Sequence, residues 1–332
     1  MTAGDHRLPG IEDIADAAER LHGKAVLTPL LESPLLNDRI GGRLLVKAEM
    51  LQRTGSFKFR GAYNKISRIP EARRGAGVVA YSSGNHAQGV AAAAHAFGLP
   101  ATIVMPADAP AIKRRNTLAW GARVVDYDRA ADDRDRIAAA IVAETGATLI
   151  PPYDDPEIVA GQGTVGLELA TQATAQDAAP DAVLVPCGGG GLSAGISTAL
   201  ASLMPGVPVY AVEPAGFDST GRSLRAGKVE TVPPGAPSIC DSLMAPAPGD
   251  LTFAVNSARL AGGLTIEDDA ALAAMAIAFD AFKLVAEPGG AAALAAVISG
   301  VFDMRGKTVI AVCSGGNVDA GVFLRALGGP AG

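Results

Sequence analysis

Four short stretches carry residue types suited to chemistry on a small ligand. The first is GGGGLSAG at 188–195. Its glycines let the backbone turn sharply and aim several N–H groups at one point, and a helix beginning there adds its positive end. That makes a phosphate cradle. The same letters satisfy the dinucleotide pattern G-x-G-x-x-A at Gly189, Gly191 and Ala194, and Glu213 stands where a ribose would need an acid. A strand–helix turn with no ligand also fits. The second stretch is SFKFRGA at 56–62, which puts Lys58 in the first turn of a helix, where the macrodipole disfavours a cation. A positive helix end and partial burial lower the pKa of such an amine, and covalent capture of an aldehyde removes its charge. By its local sequence alone, a solvated surface lysine is the stronger reading. The third is SSGNH, in which Ser82, Ser83, Gly84, Asn85 and His86 form a polar turn whose N–H and hydroxyl groups could hold a carboxylate. A serine N-cap explains it as well. The fourth, SGGN at 314–317, reads equally as a tight turn with a cap. His86 and His95 by themselves fit helix surface or core, and Cys187 and Cys313 fit small buried residues rather than nucleophiles.

Three of these stretches follow strand-like runs, and in an open parallel sheet ligands gather at the carboxyl ends of strands. The spacing predicts strands over 43–49, 77–82, 101–106, 122–128, 147–152, 182–187, 207–213 and 307–314. Helices are predicted over 11–22, 57–67, 85–97, 109–120, 133–145, 157–172, 192–203, 267–282 and 289–299, several of them closed by a glycine such as Gly98, Gly121 or Gly146. The strands are nearly continuous apolar runs, as expected of parallel strands covered on both faces. Repeated strand–helix–strand order then implies an α/β protein with doubly wound, mostly parallel open sheets. The tight units of 76–151 suggest a small lobe inserted into a larger one made of 1–75 and 152–328, and 231–249 reads as a long surface connection.

The 332 residues are 49% hydrophobic and 19% charged, ample for a large core and unlike a disordered chain. A formal charge of -6 without basic runs argues against nucleic acid and anionic membrane surfaces. Cys187, Cys240 and Cys313 are odd in number and widely spaced, which suits a reducing cytoplasm. The histidines, His6, His22, His86 and His95, do not pair with cysteines at zinc spacing. No opening secretory pattern and no span-length apolar run is present, so a cytoplasmic protein is expected.

Each stretch is ambiguous, yet their order is specific. KAEMLQRTGSFKFRGA, SSGNHAQGVA, IPPYDDPEIVAGQGTVGLE, PCGGGGLSAG, KLVAEPGGAAAL and CSGGN together cover about residues 30–325, and the chain closely resembles the serine/threonine dehydratase family of pyridoxal-phosphate enzymes. The resemblance implies a tryptophan-synthase-β-like fold, pyridoxal 5'-phosphate as cofactor and a homodimer. It implies that Lys58 forms the internal Schiff base and serves as base at Cα, with Phe57 beside it. Asn85 would meet the cofactor's phenolic oxygen, Gly188, Gly189, Gly190, Gly191 and Leu192 its phosphate, Ser314 its pyridine nitrogen, and Glu287 would lie near the ring. Ser82, Ser83, Gly84 and His86 would hold the substrate carboxylate, Ser83 matching an acid/base of racemising relatives. Arg134 would stand near the substrate.

The implied reaction is β-elimination of water from L-threonine or L-serine, giving 2-oxobutanoate or pyruvate and ammonia. Serine racemase and 3-hydroxyaspartate dehydratase activities are the alternatives, and a nicotinamide-dependent oxidoreductase is a distant one. The chain departs from the family at the cation site, expected at Glu213, Phe217 and Ser219. A serine hydroxyl replaces a usual aspartate there, which weakens the case for a divalent ion. A monovalent ion, no ion, or a shifted Asp218 remain as readings.

Overall fold

A computed structural model describes residues 7–233, 235 and 237–328, so His6 lies outside the described residues. In chain order the strands are β1 Leu30–Glu32, β2 Arg43–Ala48, β3 Val78–Tyr81, β4 Ala101–Pro106, β5 Arg123–Tyr127, β6 Thr148–Leu149, β7 Ala182–Pro186, β8 Val209–Pro214, β9 Leu260–Ile266 and β10 Thr308–Cys313. They form a six-stranded sheet of order β1-β2-β10-β7-β8-β9 and a four-stranded sheet of order β5-β4-β3-β6. Every pairing is parallel except β1 with β2, which leaves one antiparallel edge. Parallel strands need long crossovers, and helices supply them, so the inner strands are covered on both faces and apolar, whereas the edge strands β5 and β9 stay partly exposed. Leu44, Val183, Leu184, Val309 and Ile310 are all fully buried.

The departures from the expected elements have local causes. β1 is only three residues long. β9 reads LAGGLTI, and its glycines hide its strand character. Gly263 is required there, because a Cβ would lie 2.6 Å from the Cα of Gly221 in the helix packed against it. The helices Ser219–Ala226 and Asp250–Arg259 lie beyond the expected set.

Small residues also set the helix packing. Helix Lys58–Ser67 crosses helix Pro156–Ala175 where Gly61 meets Gly161, and a Cβ on Gly161 would sit 2.6 Å from the Cα of Gly61. Beneath this crossing runs a buried ion network. Arg60 reaches Glu49 at 2.8 Å and Glu168 at 2.6 Å, and Lys47 reaches Glu168 at 2.7 Å. Buried charges persist only when paired in this way. Arg60 therefore anchors the helix that starts at Lys58.

Candidate active site

Three turns at the carboxyl ends of strands meet the segment that enters helix Lys58–Ser67. The segment entering helix Lys58–Ser67 is stitched to the turn after β10: Phe57 N–H donates to the Ser314 carbonyl at 3.2 Å, and Ser56 bridges Gly315. The turn after β3 leads into helix Asn85–Ala96. The turn after β7 leads into helix Gly191–Leu203. Between them lies a cavity that opens to solvent. Phe57, Lys58, Ser82, Ser83, Asn85 and His86 are on its wall. So are Arg134, Gly188 to Leu192 and Ser314.

Lys58 is the amine of the cavity. Its Nζ donates to the carbonyl of Pro152 at 2.6 Å, and burial lowers its pKa to about 8. A neutral carbonyl does not compensate the charge as a carboxylate would, so the free amine is favoured relative to an ordinary lysine. The tetraglycine turn wraps closely on its supports. Gly190 has φ +92, and Thr252 Oγ1 donates to the Gly189 carbonyl at 2.7 Å. Gly191 and Leu192 open a helix, so their N–H groups have no intrahelical acceptor while standing on the cavity wall. Unpaired N–H groups at a helix start, a cavity amine and a neutral Ser314 hydroxyl form the donor set that a phosphate-bearing aldehyde requires, so the residues fit pyridoxal phosphate.

Two of the expected site residues have surroundings that define what they can offer. Glu287 lies behind the cavity wall, donating nothing to it directly: its carboxylate accepts from Asn85 Nδ2 and pairs with Lys113 at 2.8 Å. His86 is buried, and burial followed by the Lys58 charge pushes its pKa down to about 3. Its Nε2–H faces the Ile150 carbonyl at 2.8 Å, so the neutral ring leaves only an acceptor at Nδ1. An acceptor cannot hold a carboxylate, and His86 has only its backbone amide to offer one. Gly84 is where it is because a Cβ would lie 2.0 Å from Cδ of Lys113. Cys187, Cys240 and Cys313 are buried thiols whose pKa burial pushes up to about 12, unlike nucleophiles.

The segment around Glu213 lies apart from the residues of the cavity wall. Both Glu213 carboxylate oxygens accept backbone N–H groups, from Thr220 and Gly221 at 2.8 Å each, so the acid caps helix Ser219–Ala226. A ribose has no access to a fully buried Glu213, which removes the main support for the dinucleotide reading. Asp218 is turned to Arg222 at 2.9 Å, not to Glu213. With Ser219 and Phe217 adding no acid, a single capped carboxylate does not fit the charge-rich oxygen cage of a divalent ion.

Residues that no local spacing marks also line the cavity, among them Arg129, Tyr153 and Asp241. Tyr153 presses its ring so close to Gly189 that a Cβ there would lie 2.3 Å away.

Comparison with known proteins agrees with this geometry. A family model described as pyridoxal-phosphate dependent enzyme matches residues 24–315. The chain is 42% identical to an L-threo-3-hydroxyaspartate ammonia-lyase of a Pseudomonas species, over 94% of this chain and 97% of that one. It is 42% identical to an L-threonine ammonia-lyase of Thermotoga maritima, over 95% of this chain and 77% of the other. A crystal structure of T.th. threonine deaminase superposes with a TM-score of 0.89 at 43% identity, covering 94% of this chain and 99% of that one.

Proposed function

The chain belongs to the pyridoxal-phosphate dependent enzyme family, and on that footing we propose that it is an ammonia-lyase that removes water and then ammonia from L-threonine or L-serine. The observation that carries the reading is Lys58, an amine with lowered pKa, sharing one cavity with the tetraglycine turn, Ser314 and the loop 82–86. When bound, pyridoxal phosphate supplies an electron-withdrawing ring that acidifies the Cα hydrogen of an attached amino acid. Gly188 to Leu192 would hold its phosphate through N–H groups, Lys58 would be its point of attachment and the base at Cα, and Asn85 would meet its phenolic oxygen. Ser314 offers the pyridine nitrogen a neutral hydroxyl, which does not force a proton onto it. With its nitrogen left unprotonated by Ser314, the ring would store less charge, which would suit elimination better than transamination. The loop 82–86 seats the substrate carboxylate against N–H groups at the start of helix Asn85–Ala96. The products are 2-oxobutanoate or pyruvate with ammonia. The segment 76–151, which supplies all four strands of the smaller sheet, is proposed as the unit that presents this loop, in a cytoplasmic homodimer.

A second reading has its own support. The Arg134 guanidinium stands on the cavity wall, 5.0 Å over the Tyr81 ring and no nearer than 3.7 Å to Asp135. So loosely held a guanidinium suits a second carboxylate on the substrate, as in L-threo-3-hydroxyaspartate.

One experiment tests the family chemistry and ranks the substrates. The holoprotein is expected to absorb at roughly 410–420 nm, and borohydride should label Lys58. Oxo-acid and chirality are then followed from L-threonine, L-serine and the 3-hydroxyaspartate isomers. Oxo-acid from L-threonine or L-serine is expected, and a label elsewhere or no oxo-acid from any of them overturns the proposal. Faster turnover of the hydroxyaspartate favours the second reading, and a D-isomer without oxo-acid identifies a racemase.

A further inference from the structure

Lys113 is almost fully buried, 2% exposed, yet it lies at neither the cofactor cradle nor the amine. Its side chain crosses directly beneath Gly84 and ends between two acids of the other sheet's segments: Asp241 at 3.1 Å and Glu287 at 2.8 Å. Each acid holds one residue of the loop 82–86. Asp241 Oδ2 accepts from Ser83 Oγ at 3.0 Å, and Glu287 accepts from Asn85 Nδ2. Asp241 Oδ1 also accepts from Arg129 at 3.1 Å, and Asn85 Oδ1 accepts from Asn317 at 2.9 Å. A continuous chain of hydrogen bonds and ion pairs therefore runs Ser83–Asp241–Lys113–Glu287–Asn85.

The two serines of the loop are not equivalent in this chain of bonds. Ser83 spends its single hydroxyl proton on Asp241. Ser82 Oγ accepts from Gly84 N–H at 2.9 Å and keeps its own proton free. Each hydroxyl has one donor and two acceptor sites. Ser82 can thus donate to a substrate carboxylate, whereas Ser83 meets the cavity with lone pairs only.

We propose that Asp241, clamped between Lys113 and Arg129, is a positioning residue that fixes Ser83 as a hydrogen-bond acceptor for a donor group of the substrate, its hydroxyl or amine, while Ser82 and the backbone N–H groups take the carboxylate, and that, through Lys113, it holds the loop 82–86 against Glu287. The proposal rests on the reading of that loop as the substrate seat. It explains why a long cation is buried under a glycine: removing Lys113 leaves two acids facing each other behind the loop, and removing Asp241 frees the Ser83 hydroxyl to rotate.

The test is a double-mutant cycle on the holoenzyme, with Ser83→Ala, Asp241→Asn and their combination. Asp241→Asn is expected to raise KM for L-threonine about tenfold while changing kcat less than about threefold, as lost uniform binding does. Lys113→Met should do the same, with Lys113→Arg restoring most of the loss. Added to Ser83→Ala, Asp241→Asn should change KM by no more than about twofold. Losses that multiply, or a KM unmoved by Asp241→Asn, overturn the proposal. A second measurement needs no turnover. In the holoprotein, backbone amides of 82–86 should exchange hydrogen about tenfold faster in Asp241→Asn, with both sheets unchanged. Exchange that stays the same, or speeds up everywhere, overturns it too. A wild-type protein that turns over no hydroxy-amino acid defeats the proposed reaction instead, and the exchange result then decides the positioning role by itself.

Discussion

At the scale of single residues, the amine and the imidazole facing the cavity are tuned by the same force in the same direction. Burial lowers Lys58 to about 8 and His86 to about 3, and the Lys58 charge pushes His86 further down. The consequence for Lys58 can be measured in the apoprotein. Attack on an aldehyde needs the free amine, so the rate at which added pyridoxal phosphate develops its visible band should rise with pH and level off above about 8. The same shift makes a linkage claim of definite sign. Between about 8 and the ordinary lysine value the unfolded chain holds a proton that the folded chain has released, so stability rises with pH across that window. A capture rate still climbing steeply near pH 10 would mean that burial does not control the amine. These residues were half legible from their neighbours in sequence. The glycine run and the Ser-Ser-Gly-Asn-His turn announce backbone donors at helix starts, but nothing near Lys58 distinguishes it from a surface cation. Its depressed pKa comes from burial in a cavity whose wall includes residues as distant as Pro152, 94 positions away. Asp241 was invisible for the same reason, lying 158 positions from the serine that it holds.

At the scale of elements, helix Lys58–Ser67 carries the amine on one side and Arg60 on the other. Arg60 is 1% exposed, and its guanidinium is shared by Glu49 and Glu168. Replacing it by methionine leaves Glu49 buried without its partner, which typically costs about 3–5 kcal/mol. Arg60→Met should therefore lower the unfolding free energy measured in urea by that amount and weaken cofactor retention, since the helix start loses its anchor. A loss below about 1 kcal/mol would show that the network relaxes freely. Elements with an unmixed pattern were readable at this scale: β4 and β10 fall within a residue or so of the apolar runs that mark them. β9 was not, because Gly262 and Gly263 depress strand propensity, and Gly263 is there because the backbone of helix Ser219–Ala226 presses against it. Pattern reports what a residue prefers, whereas such a glycine reports what comes near it.

At the scale of the whole molecule, the parallel class and the meeting of three turns at strand ends followed from periodicity, while the partnership between distant segments did not. The capped Glu213 is an example. The family resemblance places a cation there and the serine at 219 weakens it, while in the fold two backbone N–H groups occupy the carboxylate and Asp218 is committed to Arg222. Turnover after exhaustive chelation should stay within about twofold of the untreated enzyme. A larger drop, restored by Mg²⁺ or Ca²⁺, would show that a divalent ion displaces the cap.

The strand order carries a final consequence for synthesis. β10 follows every other strand of the larger sheet in chain order, and it is the piece that joins β2 to β7 at the centre of that sheet. Until it arrives, the early and middle portions of that sheet have no common partner, and Lys58 has no Ser314 beside it. The smaller sheet, drawn from an unbroken stretch between Val78 and Leu149, can assemble long before. A nascent chain stalled before Thr308 should accordingly hold an ordered smaller half and capture no aldehyde, so competence for chemistry switches on only as β10 slots home.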